Sequence, residues 1–437
     1  MLSIGIASTG VLTFAYFAVA SHVLGASSAG RAQYSKLDVL WSVMFVIISV
    51  IYRPIEQLLS RTIADRRARG LARQRLRVPM AIQGTFALVF LAVALPLHHT
   101  LAHGVFASTT LYWILVVGVI AYAASYFARG WLAGHKYFAL YGGLVFMESA
   151  SRFAFVLAAA VGISHGQSAI AIGIAAAPFV SLVVVPAAFA SRAQRAGRPP
   201  QVSDAALEGP AAEGIEEAAS DLSIRHGGRF AISVSGIQLA EQTLLNAAVL
   251  TVSATSARAS LPGTVFDLLL ITRAPLQLFQ AIQTSLLPHL AGLEATAGSA
   301  AFARAIRITI AAIAVFALAT AIGLLAIGPF VMHHVFGYDY RYGNLGLAVV
   351  GIGMGLHLTA GTLNQAALAR GQAGRAAVLW LAAAVLFVVW MLLSPIGDEV
   401  RRTEVGYAVA AGLLAGALFV LYRRGRGSPV AAAAGTT

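Results

Sequence analysis

Twelve times between Ile4 and Tyr422 the chain runs through about twenty residues that are almost all apolar, the length a helix needs to cross a ~30 Å hydrocarbon core. The runs lie near 4–24, 38–60, 78–97, 109–128, 137–162, 167–190, 229–253, 261–288, 306–332, 344–368, 376–395 and 404–422. Inside a bilayer every backbone N–H and C=O must be satisfied within the segment, so these runs predict helices and an all-α polytopic membrane protein. Composition agrees: 59% of the residues are hydrophobic and only 11% charged, against roughly 25% charged in a soluble domain. No Lys or Arg precedes Arg31, so the first run lacks the basic segment of a secretory signal and is read as a membrane helix.

A net charge of +13 would suit a nucleic-acid partner if the basic residues clustered on one face. They sort instead by loop. With the N-terminus placed in the cytoplasm, 21 of the 30 Lys and Arg fall in inner loops and six in outer loops, while Arg53, Arg152 and Arg273 lie within spans. This is the positive-inside bias, which puts both termini in the cytoplasm and leaves no expectation of nucleic acid. There is no Cys, hence no disulfide and no thiolate chemistry.

One polar stretch, rich in Pro, Ala and acidic residues, breaks the pattern at 191–227 and reads as a flexible cytoplasmic linker. The chain then divides into a six-helix lobe at 1–190, the linker, a second six-helix lobe at 228–422 and a cytoplasmic tail at 423–437. Three short matches keep their order across that division. Arg53 and Pro54 answer to Arg273 and Pro275 at an offset of 220, "LPLHH" (95–99) to "GPFVMHH" (328–334) at about 235, and "ARGWLAGHK" (128–136) to "ARGQAGR" (369–375) at 241. They predict an internal duplication whose two copies, each with an even number of spans, share one orientation.

The segment "RAQYSKLDVLWSVMFVIISVIYRPIEQLLSR" (31–61), the Ala-Arg-Gly turns and "GPFVMHHVFGYDYRYG" (328–343) resemble the multidrug/oligosaccharidyl-lipid/polysaccharide (MOP) flippase superfamily, most closely its polysaccharide-export branch. The resemblance implies two parallel six-helix lobes with pseudo-two-fold symmetry around a central cavity, alternating between inward- and outward-open states. It implies a cargo too, a lipid-linked saccharide of polyprenyl-phosphate type carried to the outer leaflet of a bacterial plasma membrane for cell-envelope polysaccharide assembly. The lipid II flippases of that superfamily carry cavity arginines in their first, second and eighth spans. Arg53 and Arg273 match the second and eighth, whereas the first span here offers only His22 and the spans number twelve rather than fourteen.

A charge at mid-membrane is a candidate for function because it costs a few kcal/mol to insert. Arg53 and Arg273 present planar, bidentate donors suited to a phosphate, so they are the expected substrate clamp. Glu241, Gln242 and Asn246 form a polar stripe on the seventh span that, with Asp267 on the eighth, is expected to line the substrate path or take up a coupling H⁺ or Na⁺. Glu148 and Arg152, spaced i,i+4 with the Glu first, read as a structural or coupling pair. Glu56 lies one turn from Arg53. Histidines at 98, 99, 103, 333 and 334 have no carboxylate nearby in sequence, and no metal or other cofactor is expected.

A phosphate-binding loop of the G-x-x-x-x-G-K-[ST] type is absent, and the only lysines are Lys36 and Lys136, so ATP hydrolysis within this chain is excluded. The first outer loop carries none of the acidic residues that a polyprenyl-linked glycosyltransferase needs, and every outer loop is short, so no enzyme is expected. The expected partners are membrane lipids, the lipid-linked saccharide and other polysaccharide-assembly proteins. The alternative reading is an ion-coupled secondary transporter of small molecules or drugs, of major-facilitator or drug-exporter type.

Overall fold

The computed structural model describes residues 2–25, 27–68, 77–183, 186, 210–271, 276, 298–336 and 342–424. Among the described residues twelve α-helices follow one another: α1 Leu2–Leu24, α2 Ser28–Ala68, α3 Arg77–Ala94, α4 Thr109–Gly134, α5 Phe138–Ala160, α6 Gly166–Ser181, α7 Pro210–Thr255, α8 Leu261–Ile271, α9 Gly298–Phe336, α10 Asn344–Ala369, α11 Ala373–Leu393 and α12 Glu399–Arg424. Each apolar run read from the sequence overlaps one of them, and no strand occurs among the described residues. A short π-helical turn, Thr100–Val105, bridges α3 and α4. Helix α7 begins at Pro210, inside the stretch assigned to the linker.

Large apolar side chains stay on the outer faces, as on α11, where Val378, Leu381, Val385, Leu386 and Val389 are exposed. In water such a stripe would be a liability; against lipid it is the expected surface.

The chain forms two compact units whose borders cut through helices rather than loops. One comprises Met1–Thr9 and Met44–Gln238, the other Gly10–Val43 and Leu239–Thr437. Helices α1, α2 and α7 therefore belong in part to each.

In the first unit α4 packs on α3, α5 and α6. Ser108 caps α4, its Oγ accepting from the Leu111 N–H at 3.3 Å. The inner end of α4 lies hard against α2 because a Cβ on Gly130 would stand 2.8 Å from the Glu56 carbonyl oxygen, and one on Gly134 2.6 Å from the Ile63 Cβ. Two glycines four apart thus let two backbones approach closely, the usual means of joining helices where no hydrophobic effect acts. Leu59, Ile63, Trp131, Leu132, Leu144 and Val145 close the core around that contact.

In the second unit α10 packs on α9, α11 and α12. Helices α4 and α10 have 26 residues each, and Thr109 to Asn344 and Gly134 to Ala369 are both offsets of 235. The turns that follow repeat bond for bond. Lys136 N–H reaches Ala133 O and Tyr137 N–H reaches Leu132 O; Gly371 N–H reaches Leu368 O and Gln372 N–H reaches Ala367 O. Both are Schellman turns, with Lys136 at φ 61° and Gly371 at φ 70°. The register of this repeat corrects one match from the sequence. At 235 rather than 241, the two Ala-Arg-Gly triplets are not equivalent: Arg129 sits inside α4, whereas Arg370 caps α10.

Candidate functional site: a buried arginine and carboxylate network

In the first unit α4 presents Gly118, Tyr122, Ser125 and Arg129 along one face, at the three- and four-residue steps that bring side chains into line. Gly118 admits the Met44 side chain of α2 and the backbone of α6 at Ala175. Below it the face turns polar. Glu148 of α5 is 2% exposed and uses both oxygens: Oε1 accepts from Ser125 Oγ at 2.6 Å, and Oε2 forms an ion pair with Arg129. Arg152, also buried, donates to the Tyr122 hydroxyl at 2.6 Å and to Ser149 Oγ at 3.1 Å. Arg129 lies over the Tyr126 ring, 4.5 Å from its centroid, and Arg152 5.8 Å from the Phe45 centroid. Arg129 Nε is buried and meets no acceptor among the described residues.

Helix α2 adds the half-buried Arg53 and Glu56. Arg53 Nη1 donates to Gln238 Oε1 of α7 at 3.0 Å, and Glu56 Oε1 accepts from the Tyr141 hydroxyl of α5 at 2.6 Å. Glu56 also lies in the field of Arg129. The group holds three guanidinium cations, Arg53, Arg129 and Arg152, against two carboxyls, Glu56 and Glu148. Its surplus of cation suits an anion.

The other expected residues fall in the second unit or outside the described residues. Arg273 and Pro275 are among the latter, so the clamp with Arg53 has only its α2 half in view. Gln242 and Asn246 are buried on α7, with Asn246 Nδ2 donating to Gln242 O at 2.9 Å, and Glu241 is half-buried beside them. Asp267 of α8 is fully buried, and its Oδ1 accepts from the Tyr34 hydroxyl of α2 at 2.6 Å. Ser35 Oγ, one residue along, accepts from Gly263 N–H and donates to Ser260 O, both at 3.0 Å. Asp38, a turn further, is fully buried as well.

The spacing of Glu148 and Arg152 predicted a pair within α5; Glu148 forms an ion pair across to Arg129 of α4. Arg129 escaped the sequence reading because it was counted as an inner-loop charge, although the glycines that follow it at 130 and 134 mark a helix–helix contact. Tyr122, Ser125 and Tyr141 carried no signal of their own. His357 of α10, buried with its Nδ1 3.3 Å from the Tyr407 hydroxyl, was likewise invisible within its apolar run. Among the described residues no group of three or more His, Cys, Asp or Glu could hold a metal ion.

No protein-family model matches the sequence, and no curated protein matches it either. Solved structures do. An outward-facing multidrug resistance MATE family transporter of the MOP superfamily superposes with a TM-score of 0.68 at 13% identity, covering 97% of this chain and 93% of its own. A eukaryotic MATE transporter gives 0.67 at 12% identity over 97% and 96%, and an inward-facing multidrug resistance MATE transporter 0.66 at 14% over 96% and 94%. The chain therefore has the fold of the MATE transporters over nearly its whole length.

Proposed function

We propose that this chain is an ion-coupled secondary transporter that moves small amphipathic solutes across a bacterial plasma membrane, with both termini in the cytoplasm. The observation that carries the reading is the end-to-end likeness to multidrug MATE transporters. With no phosphate-binding loop in the sequence, an ion gradient is the source of work the reading assigns. Buried carboxyls at Glu148 and Asp267 supply groups able to bind H⁺ or Na⁺ within the spans. The test is reconstitution into proteoliposomes with rhodamine 6G, under a pH gradient and under a sodium gradient. Accumulation that collapses with a protonophore or a sodium ionophore is expected; no movement under either gradient defeats the reading.

A second reading, translocation of a lipid-linked saccharide to the outer leaflet alongside other polysaccharide-assembly proteins, is favoured by the surplus of arginine in the first unit. Three guanidinium groups against two carboxyls repel a cationic drug and attract a diphosphate. A fluorescent polyprenyl-diphosphate saccharide in the same vesicles separates the two. If it crosses, Arg53→Ala is expected to stop it and Arg53→Lys to keep part of the activity; unchanged translocation with Arg53→Ala removes the phosphate clamp.

A further inference from the structure

We propose that the Arg129–Glu148 pair is the charge-coupling element of the first unit: Glu148 exchanges a proton with the aqueous phase, and Arg129 changes carboxyl partner as it does so. The inference deepens the secondary-transport reading and rests on it.

The first argument is that the fold does not need these charges. At the repeat offset of 235, α10 and α11 build the same helix pair and the same turn with Asn364 in place of Arg129, Ala383 in place of Glu148 and Phe387 in place of Arg152. Ala360 and Ala384 replace the hydroxyls of Ser125 and Ser149. A buried ion pair is often no more stabilising than apolar residues of similar volume, so stability alone does not explain its presence in one copy.

The second argument is geometric. Glu148 has both oxygens engaged and its carboxylate neutralises Arg129. Arg129 keeps a buried Nε that meets no acceptor among the described residues and shares its field with Glu56 of α2. When Glu148 takes a proton, its negative charge is lost, the ion pair across α4 and α5 ends, and the unchanged guanidinium is left with Glu56 as the remaining carboxylate. A contact within the α4–α5 pair thus becomes a contact to α2, the helix that crosses from this unit to the other at Met44. The ionisable groups facing the pair are Arg53 and Glu56 from α2, Tyr122 and Tyr126 from α4, and Tyr141 and Arg152 from α5; α6 brings none. Protons are the fitting ion, since Glu148's partners are a cation and a hydroxyl donor rather than a cage of oxygens.

The experiment copies the second half of the protein into the first. Wild type, Glu148→Gln and the double variant Arg129→Asn with Glu148→Ala are purified in detergent, melted, and mixed with rhodamine 6G while a pH indicator reads proton release. Wild type is expected to release about one proton per chain on solute binding. The double variant is expected to melt within about 4 °C of wild type and Glu148→Gln, which keeps the buried cation, lower; both are expected to release none and to lose accumulation driven by a pH gradient. A double variant that does not fold would make the pair structural, and a folded variant that still releases the proton would place coupling elsewhere; either overturns the proposal. If wild type itself neither accumulates solute nor releases protons, the secondary-transport reading falls first and takes this inference with it.

Discussion

Helices α4 and α5 of the first unit and α10 and α11 of the second share one backbone and differ in what fills it. Both pairs open at an offset of 235, both pass through the same two-bond turn, and both bury one face. Yet Tyr122, Arg129, Glu148 and Arg152 answer to His357, Asn364, Ala383 and Phe387. The first pair carries a polar network that reaches on to Glu56 of α2. The second is an uncharged seam in which His357, Thr362 and Asn364 are the buried polar side chains of α10. Helix geometry is therefore specified by small residues and turn chemistry that either filling tolerates, and the charges are a separate layer laid on one copy.

That separation predicts a large asymmetry. Glu148→Ala alone leaves the Arg129 cation buried without its carboxylate, at a cost of about 3–5 kcal/mol. The converse graft, Ala383→Glu, puts a carboxyl where only Asn364 stands at the arginine position, and is expected to cost about as much. Denaturation of the purified proteins measures both, and a graft that costs under about 1 kcal/mol would mean that the second seam already accommodates charge.

How much of this could be read in advance follows from the same division. Twelve helices were legible because hydrocarbon demands long apolar runs and leaves no alternative backbone. The ion pair of Glu148 with Arg129 was not, because i,i+4 spacing constrains only one helix and says nothing of the cations that a neighbouring helix brings. Polar composition at 191–227 read as linker, yet it does not prevent α7 from beginning at Pro210, a residue suited to a first helical turn. The repeat was visible, but its three matches stood at offsets of 220, about 235 and 241, and the turn hydrogen bonds show that 235 is the register of α4 and α10.

A middle-sized effect sharpens the packing side of the comparison. Gly130 touches the α2 backbone at Glu56, whereas its counterpart Gln365 is only half-buried. Gly130→Ala must push α2 away from α4 and is expected to cost about 1–3 kcal/mol, and it carries Arg53 and Glu56 out of place as well. Gln365→Ala is expected to stay within about 0.5 kcal/mol of wild type. Equal losses at the two sites would show that the second pair has a close helix contact of its own at that point.

The smallest effect tests the identity of the two turns directly. A left-handed conformation costs an L-residue with a side chain roughly 1–2 kcal/mol, and Lys136 bears that cost at φ 61° where Gly371 does not. Nothing stands within 4 Å of a Cβ built on Gly371, so the effect of Gly371→Ala comes from the backbone alone: a loss of about 1–2 kcal/mol. Lys136 is exposed, so Lys136→Gly gives up little side-chain contact. Relief of the strain is offset in part by the greater freedom of glycine in the unfolded chain, leaving a gain of up to about 1 kcal/mol, or roughly 2 °C in melting temperature. Opposite signs at the two positions are what a shared turn requires. A loss at Lys136 would mean that its ammonium group, one of only two in the chain, does more at the membrane surface than the backbone strain costs.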